Sequence, residues 1–372
     1  MPESAKVLRF PVRATPTLTA LEVLRLANSY LASCRAEGSE ERRLELLQAP
    51  DVLLSVCTLL YDKVENSAAE VFEEASALYR AVTDHKGSLG VFDEKDFFLG
   101  QLAAIAGGAS RIMGKRSDAE VWFERAEAGY RHTVNPAPLL ASVSYQRLAL
   151  RCEAGQFAAV AELAPMLARS FEKLNMPRDY AKCTFLEALS LKLAGNHDKA
   201  ECRFAVVTAN DFADLDPGLA GLAYVHMADM YAADEKNELA EAAYSHALPL
   251  LARGNRRPAI AQLKGTIAET FRRQGRLNEA IGAYNEAVAE YSNLGMTTTV
   301  AYFRILLAQS YLEAGQHRQA EWQILTALPI IEEAQMVPEG FAAVALLRES
   351  VRQRNANPQA LSDLRQYLQA SN

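Results

Sequence analysis

Residues that break helices are scarce in this chain. Glycine and proline together make up 19 and 14 of 372 residues, which argues against a turn-rich β-sandwich and a collagen-like repeat. Cysteine occurs five times, at Cys34, Cys57, Cys152, Cys183 and Cys202. The number is odd and no CxxC spacing occurs, so a disulfide framework and a structural zinc site are both disfavoured; buried, reduced thiols are expected. No apolar run reaches the roughly 18 residues of a membrane span. The opening MPESAKVLRFPVRATPT lacks the apolar core of a secretory signal, so a cytoplasmic location is expected. Basic residues do not dominate: 39 Lys and Arg against 46 Asp and Glu leave a net charge of −7, which counts against a nucleic-acid binder. Walker A, GxGxxG, HExxH, GxSxG and EF-hand motifs are missing. Six scattered histidines offer no converging ligand set, so neither enzyme activity, a metal nor a cofactor is expected.

What the chain has in excess is alanine, 64 residues, the strongest helix former and a poor strand former. Its placement is periodic. Gly114, Gly155, Gly195, Glu235, Gly275 and Gly315 are separated by 41, 40, 40, 40 and 40 residues. A glycine just past an apolar helical run is the signature of a helix end that needs positive φ. Five residues after each marker stand Ala119, Val160, Ala200, Ala240, Ala280 and Ala320. Nine after it stand Phe123, Ala164, Phe204, Tyr244, Tyr284 and Ile324. Twelve after it stand Ala126, Leu167, Val207, Ala247, Ala287 and Ala327. These offsets mark one face of a helix. Seven before it the series is Gly107, Leu148, Ala188, Ala228, Ala268 and Ala308. Small residues let helices approach and aromatics fill the space beside them, an arrangement that stacked hairpins can bury and a lone hairpin cannot. Pro138, Pro177, Pro217 and Pro258 recur before the first helix of a hairpin, where the missing N–H costs nothing. Pro249 and Pro329 fall inside second helices, where kinks are expected.

The series small residue, aromatic, turn glycine and then A-x-x-x-[FY]-x-x-A resembles the tetratricopeptide repeat (TPR) family. It is clearest in AETFRRQGRLNEAIGAYNEAV (268–288) and AQSYLEAGQHRQAEWQILTAL (308–328). The early Trp and the closing Pro of the family pattern are absent, and the period is 40 rather than 34. The extra residues are expected to lengthen the second helix and the link, as in longer-period bacterial repeats. The resemblance implies an all-α superhelical solenoid of about seven hairpins with extra terminal helices. The expected organisation is a flexible lead over 1–16, N-terminal helices with a degenerate first repeat and an inserted loop over 17–94, a six-repeat array over 95–335, and capping helices over 336–372. The 84–94 stretch reads as an insertion or as a hinge.

The resemblance also implies that first helices line a concave groove, at positions 13, 10, 6 and 3 before each marker. The candidate partner-binding residues are Arg111, Tyr145, Lys182, Phe185, Lys192, Asp229, Gln262, Glu269, Arg272, Tyr302 and Gln309. Aromatic anchors with charges of both signs suit a peptide or a partner protein. The Lys and Asn clamp of chaperone adaptors is missing, because positions −10 and −6 carry Tyr145 and Ala149, Phe185 and Leu189, Val225 and Asp229, Gly265 and Glu269, and Ile305 and Gln309. Two functions remain open: an interaction scaffold, and a peptide-responsive signalling protein whose superhelix changes shape. Asp229 and Glu269 share a register position and would face each other in adjacent repeats. The basic RGNRRP turn (253–258) is read as a solvated turn or an anion site. The sequence does not give the oligomeric state.

Overall fold

A computed structural model describes residues 19–33, 43, 45–64, 67–84 and 94–353. The 1–16 lead, Cys34, most of the 84–94 stretch and residues 354–372 of the expected capping region lie outside the described residues. Those described contain helices and no strand. In chain order they are α1 (Ala20–Ser33), α2 (Pro50–Lys63), α3 (Ala68–Asp84), α4 (Lys95–Ile112), α5 (Arg116–Tyr130), α6 (Pro136–Glu153), α7 (Phe157–Lys173), α8 (Pro177–Leu193) and α9 (His197–Thr208). There follow α10 (Asn210–Leu215), α11 (Pro217–Ala233), α12 (Asn237–Arg253), α13 (Arg257–Arg273), α14 (Leu277–Asn293), α15 (Thr297–Glu313), α16 (His317–Glu333) and α17 (Val337–Gln353). Seven helix pairs run from α2 to α16, with α1 before them and α17 after.

The turn chemistry repeats at half the period read from the glycines. Gly114, Gly155, Gly195, Glu235, Gly275 and Gly315 all have positive φ, and so do Asn175, Asn255, Gly295 and Gln335 midway between them. At most of these turns the left-handed residue donates three positions back and its successor five back. Gly275 N–H bonds the Arg272 carbonyl and Arg276 N–H the Phe271 carbonyl; Asn255 N–H bonds Ala252 and Arg256 N–H bonds Leu251. This is the Schellman closure of a helix. The same successor begins the next helix, as when Ala280 N–H bonds the Arg276 carbonyl. At the turns with a left-handed residue three residues therefore separate the helices, and most helices from α7 onward have 17 residues. The longer period lies equally in both helices, and the links are not lengthened.

Two turns depart from this rule. Between α5 and α6 five residues, Arg131–Asn135, intervene and none is left-handed. Midway between Gly195 and Glu235 no left-handed residue occurs. The chain breaks earlier, at Ala209 (φ −59, ψ 145), and α10 fills the gap. The Asp216 carboxylate then accepts from Leu219 N–H at 3.0 Å and Pro217 opens α11. Asp216 thus caps α11 with its side chain, as Thr19, accepting from Glu22 N–H at 3.3 Å, caps α1. Pro165, Pro249 and Pro329 lie inside α7, α12 and α16, each of which continues through its proline.

The chain divides into two compact units, residues 1–156 with 169–175, and residues 157–168 with 176–372. In the first, one core joins Leu53 and Val56 of α2, Leu78 of α3, Phe98 and Leu102 of α4, and Phe123 of α5. The Phe123 ring lies where a Cβ on Gly107 would stand, 2.6 Å from that position, so the small residue and the aromatic of the register meet directly. Gly129 brings α5 onto the α4 backbone, 2.6 Å from the Asp96 carbonyl by the same measure. The buried Glu74 carboxylate binds Arg43 at 3.0 Å and accepts from the Tyr30 hydroxyl, tying α1 to α3.

In the second unit, successive cores are built from the register positions. Ala188, Ala200 and Phe204 share one; Ala228, Ala240, Tyr244 and Ala247 the next; Ala268, Tyr284 and Ala287 a third; Ala308, Ala320, Ile324 and Ala327 a fourth. Each buried aromatic is worth about 1.5–3 kcal/mol of transfer free energy, and alanine on the facing helix gives the ring its space. Cys57, Cys152 and Cys183 are buried as expected, but Cys202 is exposed.

Candidate functional site

Most positions of the first-helix stripe remain at least partly accessible. Lys182, Phe185 and Lys192 on α8, Asp229 on α11, Glu269 and Arg272 on α13, and Gln309 on α15 are half-buried, whereas Gln262 on α13 and Tyr302 on α15 are exposed. In the first unit Arg111 on α4 and Tyr145 on α6 are half-buried. Five stripe positions are buried instead: Gly108, Ala149, Cys152, Gly265 and Ile305. Gly265 is covered by Phe303 of α15, whose ring stands 2.2 Å from the place a Cβ would occupy.

Most polar members of the stripe are already engaged, in a pattern that repeats. Cations three residues before a marker reach the next first helix. Lys192 Nζ binds Asp229 at 3.1 Å, Arg272 binds Glu313 at 2.8 Å, and Arg111 pairs with Glu153. Carboxylates six before a marker bind the buried tyrosine of their own hairpin. Tyr284 OH donates to Glu269 at 2.8 Å and Tyr244 OH to Asp229 at 3.4 Å. The two acids thus do not form a bare carboxylate pair, since each has a tyrosine and a cation. Among the described residues, no cluster of three or more His, Cys, Asp or Glu is placed to hold a metal.

The sequence itself holds a trace of this coupling. Where the aromatic nine after the marker is tyrosine, position −6 is acidic; where it is Phe123, Ala164, Phe204 or Ile324, position −6 is Gly108, Ala149, Leu189 or Gln309. A phenolic O–H at the edge of a core requires an acceptor, and the register comparison shows which residue supplies it.

These contacts shift the protonation equilibria. Arg272, first by hydrogen bond, and then Tyr284 and Arg273 hold the Glu269 carboxyl down at about 2 against the opposing effect of burial. Burial, followed by its Glu269 partner, pushes the Tyr284 phenol well up. His226 lies against both Phe185 and Phe204, 5.6 and 5.7 Å between ring centres, with Lys192 Nζ at 3.3 Å from Nδ1. Burial first, then Lys192, lowers its pKa to about 4, so the ring is neutral at pH 7. Lys182 pairs with Asp179 on its own helix at 3.4 Å, Gln262 accepts from Tyr291 OH at 2.8 Å, and Gln309 donates to Glu313 at 3.1 Å. In the RGNRRP turn Arg253 binds Asp214 at 3.0 Å and the Arg256 side chain lies over Gly218.

No helix among the described residues is long and apolar enough to cross a membrane. Residues 219–292 match a family model described as tetratricopeptide repeat. No curated protein matches the chain in sequence. Among solved structures, the chain is similar to a Rap protein complexed with competence and sporulation factor, at 12% identity and a TM-score of 0.54, over 92% of this chain and 99% of that one. It is similar to the apo quorum sensor NprR from B. thuringiensis, at 14% identity and a TM-score of 0.56, over 94% and 98%. It is also similar to a signal transduction ATPase with a tetratricopeptide repeat sensor from Pyrococcus horikoshii, at 13% identity and a TM-score of 0.62, over 94% of this chain and 52% of that one. At such identities the likeness is one of fold. Residues 219–292 are thus tetratricopeptide repeats by sequence, and the chain around them has the fold of a TPR helical-repeat protein.

Proposed function

We propose that this chain is a non-catalytic interaction module that binds a peptide, or an extended segment of a partner protein, along the first-helix stripe of residues 176–353. The observation that carries this reading is the contrast between the two faces of each hairpin. The +5, +9 and +12 positions are sealed into cores, while the −13 to −3 positions keep accessible aromatic, amide and charged groups in one line. Such a line offers apolar anchors with a polar rim. The likeness in fold to a Rap protein complexed with competence and sporulation factor, and to a quorum sensor, supports a reading as an interaction module.

The test must avoid residues that hold the fold. Phe185 packs on Phe204 and Glu269 holds Tyr284, so their loss would weaken the repeats themselves. Tyr302, 42% exposed, and Lys182 are the cleaner pair. A partner recovered by affinity purification and mass spectrometry should bind the Tyr302→Ala, Lys182→Ala double variant at least about tenfold more weakly, as expected for loss of an aromatic anchor. Unchanged affinity would reject the stripe as the binding face.

A second reading, a peptide-responsive regulator, rests on the ion pairs that join neighbouring first helices, Lys192 to Asp229 and Arg272 to Glu313. A ligand competing for them would alter the angle between repeats. Solution scattering with and without the recovered peptide would detect the change.

A further inference from the structure

The seams between successive hairpins follow a rule of their own. Six residues after each marker stand Glu120, Ala161, Glu201, Glu241, Ile281 and Glu321. Each of the four glutamates reaches the helices that follow. Glu120 pairs with Arg147 Nε at 2.9 Å, Glu201 accepts from Tyr231 OH at 2.6 Å, Glu241 pairs with Arg276 at 2.6 Å, and Glu321 accepts from Ser350 Oγ at 3.4 Å. Ile281 packs against the core that holds Tyr284. Ala161 can do neither, because its side chain is a single methyl group. The donor is missing too: four before the next marker, where Tyr231 stands one repeat later, this seam has Leu191.

In that seam a cleft of about 600 Å³ opens between α7, α8 and α9, a volume within the usual range for a ligand site. It lies wholly in the second unit, and none of its lining residues belongs to the first-helix stripe. Ala161, Leu191 and Cys202 give it apolar surface. The buried Glu187 carboxylate accepts from Arg203 Nε at 2.8 Å, so these two charges on the lining offset each other. The other charges on the lining are Asp198 and Lys199, both exposed. The Lys199 ammonium makes no hydrogen bond or ion pair with another described residue.

From these features we propose that the cleft binds a free medium-chain aliphatic monocarboxylic acid. Its chain covers the apolar surface that a glutamate stem or Ile281 covers in the other seams. Its carboxylate takes the unpartnered Lys199 ammonium in a charge-assisted hydrogen bond. Asp198, one residue before Lys199 on the same lining, limits the head group to a single negative charge, since a second carboxylate would be repelled.

The probe is sodium octanoate, titrated against the full chain. Binding is read from the rate at which iodoacetamide alkylates the exposed Cys202 thiol, resolved by peptide mass spectrometry. Octanoate should slow this alkylation saturably. Acetate, which is the head group alone, and octylamine, which reverses the charge, should not. Hexanoate should bind about tenfold more weakly than octanoate, through the loss of two buried methylenes. Lys199→Gln should weaken octanoate about tenfold, the loss of a hydrogen bond to a charged group, with an unchanged melting temperature. Ala161→Glu, which restores the residue of the other seams, should abolish octanoate protection. The Tyr302→Ala, Lys182→Ala variant should bind octanoate as the parent does, which separates failure here from failure of the stripe. No protection by octanoate, equal protection by octylamine, or unchanged octanoate affinity in Lys199→Gln or Ala161→Glu would each overturn the proposal.

Discussion

Among the described residues, four other than glycine occupy the left-handed region: Asn175, Glu235, Asn255 and Gln335. Asparagine tolerates it, but for Glu235 and Gln335 it costs about 1–2 kcal/mol. Part of that is recoverable, because glycine also enlarges the unfolded ensemble. Glu235→Gly should therefore raise stability by about 0.5–1 kcal/mol in urea denaturation, and Gly275→Ala should lower it by a similar amount. Nothing lies within 4 Å of a Cβ at Gly275, so backbone strain alone would be read there. The six residues at the 40-residue spacing were legible because five are glycine. The left-handed positions between them were not, because Asn175, Asn255, Gly295 and Gln335 share a conformation but no residue type.

At the scale of helices, close approach decides which small residues matter. Gly129 sets the α5 backbone against α4, with a Cβ 2.6 Å from Asp96 O and 2.7 Å from Gly100 N. Backbone cannot move aside as a side chain can, so Gly129→Ala should cost about 2–3 kcal/mol or prevent folding of the hairpin. Gly282, in the middle of α14 with nothing within 4 Å, is the matched control. Gly282→Ala should gain up to about 1 kcal/mol, and thermal melting of both variants checks the contrast. Helix identity and pairing followed from the spacing of alanines and prolines. The break at Ala209 and the short α10 did not, because Asp216 and Pro217 read as an ordinary helix start and nothing before them marks the lost turn.

For the molecule as a whole, the stripe makes stability depend on acidity in two adjoining windows. The His226 imidazole titrates at about 4 when folded and near 6.5 when unfolded. The native state thus binds fewer protons between these values, and stability is full above 6.5 and falls as pH drops toward 4. Glu269, at about 2 folded against 4.5 unfolded, contributes stability that is complete above 4.5 and is lost from there toward 2. Allowing for solvent screening, each window is expected to cost about 1–2 kcal/mol. Urea midpoints across this range should fall in two stages. His226→Phe should flatten the upper stage and Glu269→Gln the lower; an unaltered profile in either variant would refute the assignment.

What the sequence determined by itself was periodic. Alanine spacing, turn glycines and prolines specify helices, their order and their buried faces, because helix geometry is local and each repeat poses the same packing problem. What only the tertiary structure decided was where polar groups end up. That Lys192, His226 and Asp229 meet, that Tyr284 requires Glu269, and that Ala161, Leu191 and Lys199 share a cleft all depend on how separate helices converge. The cleft is the clearest case, since the register places alanine at 161 but only the packing of three helices leaves the seam beside it open.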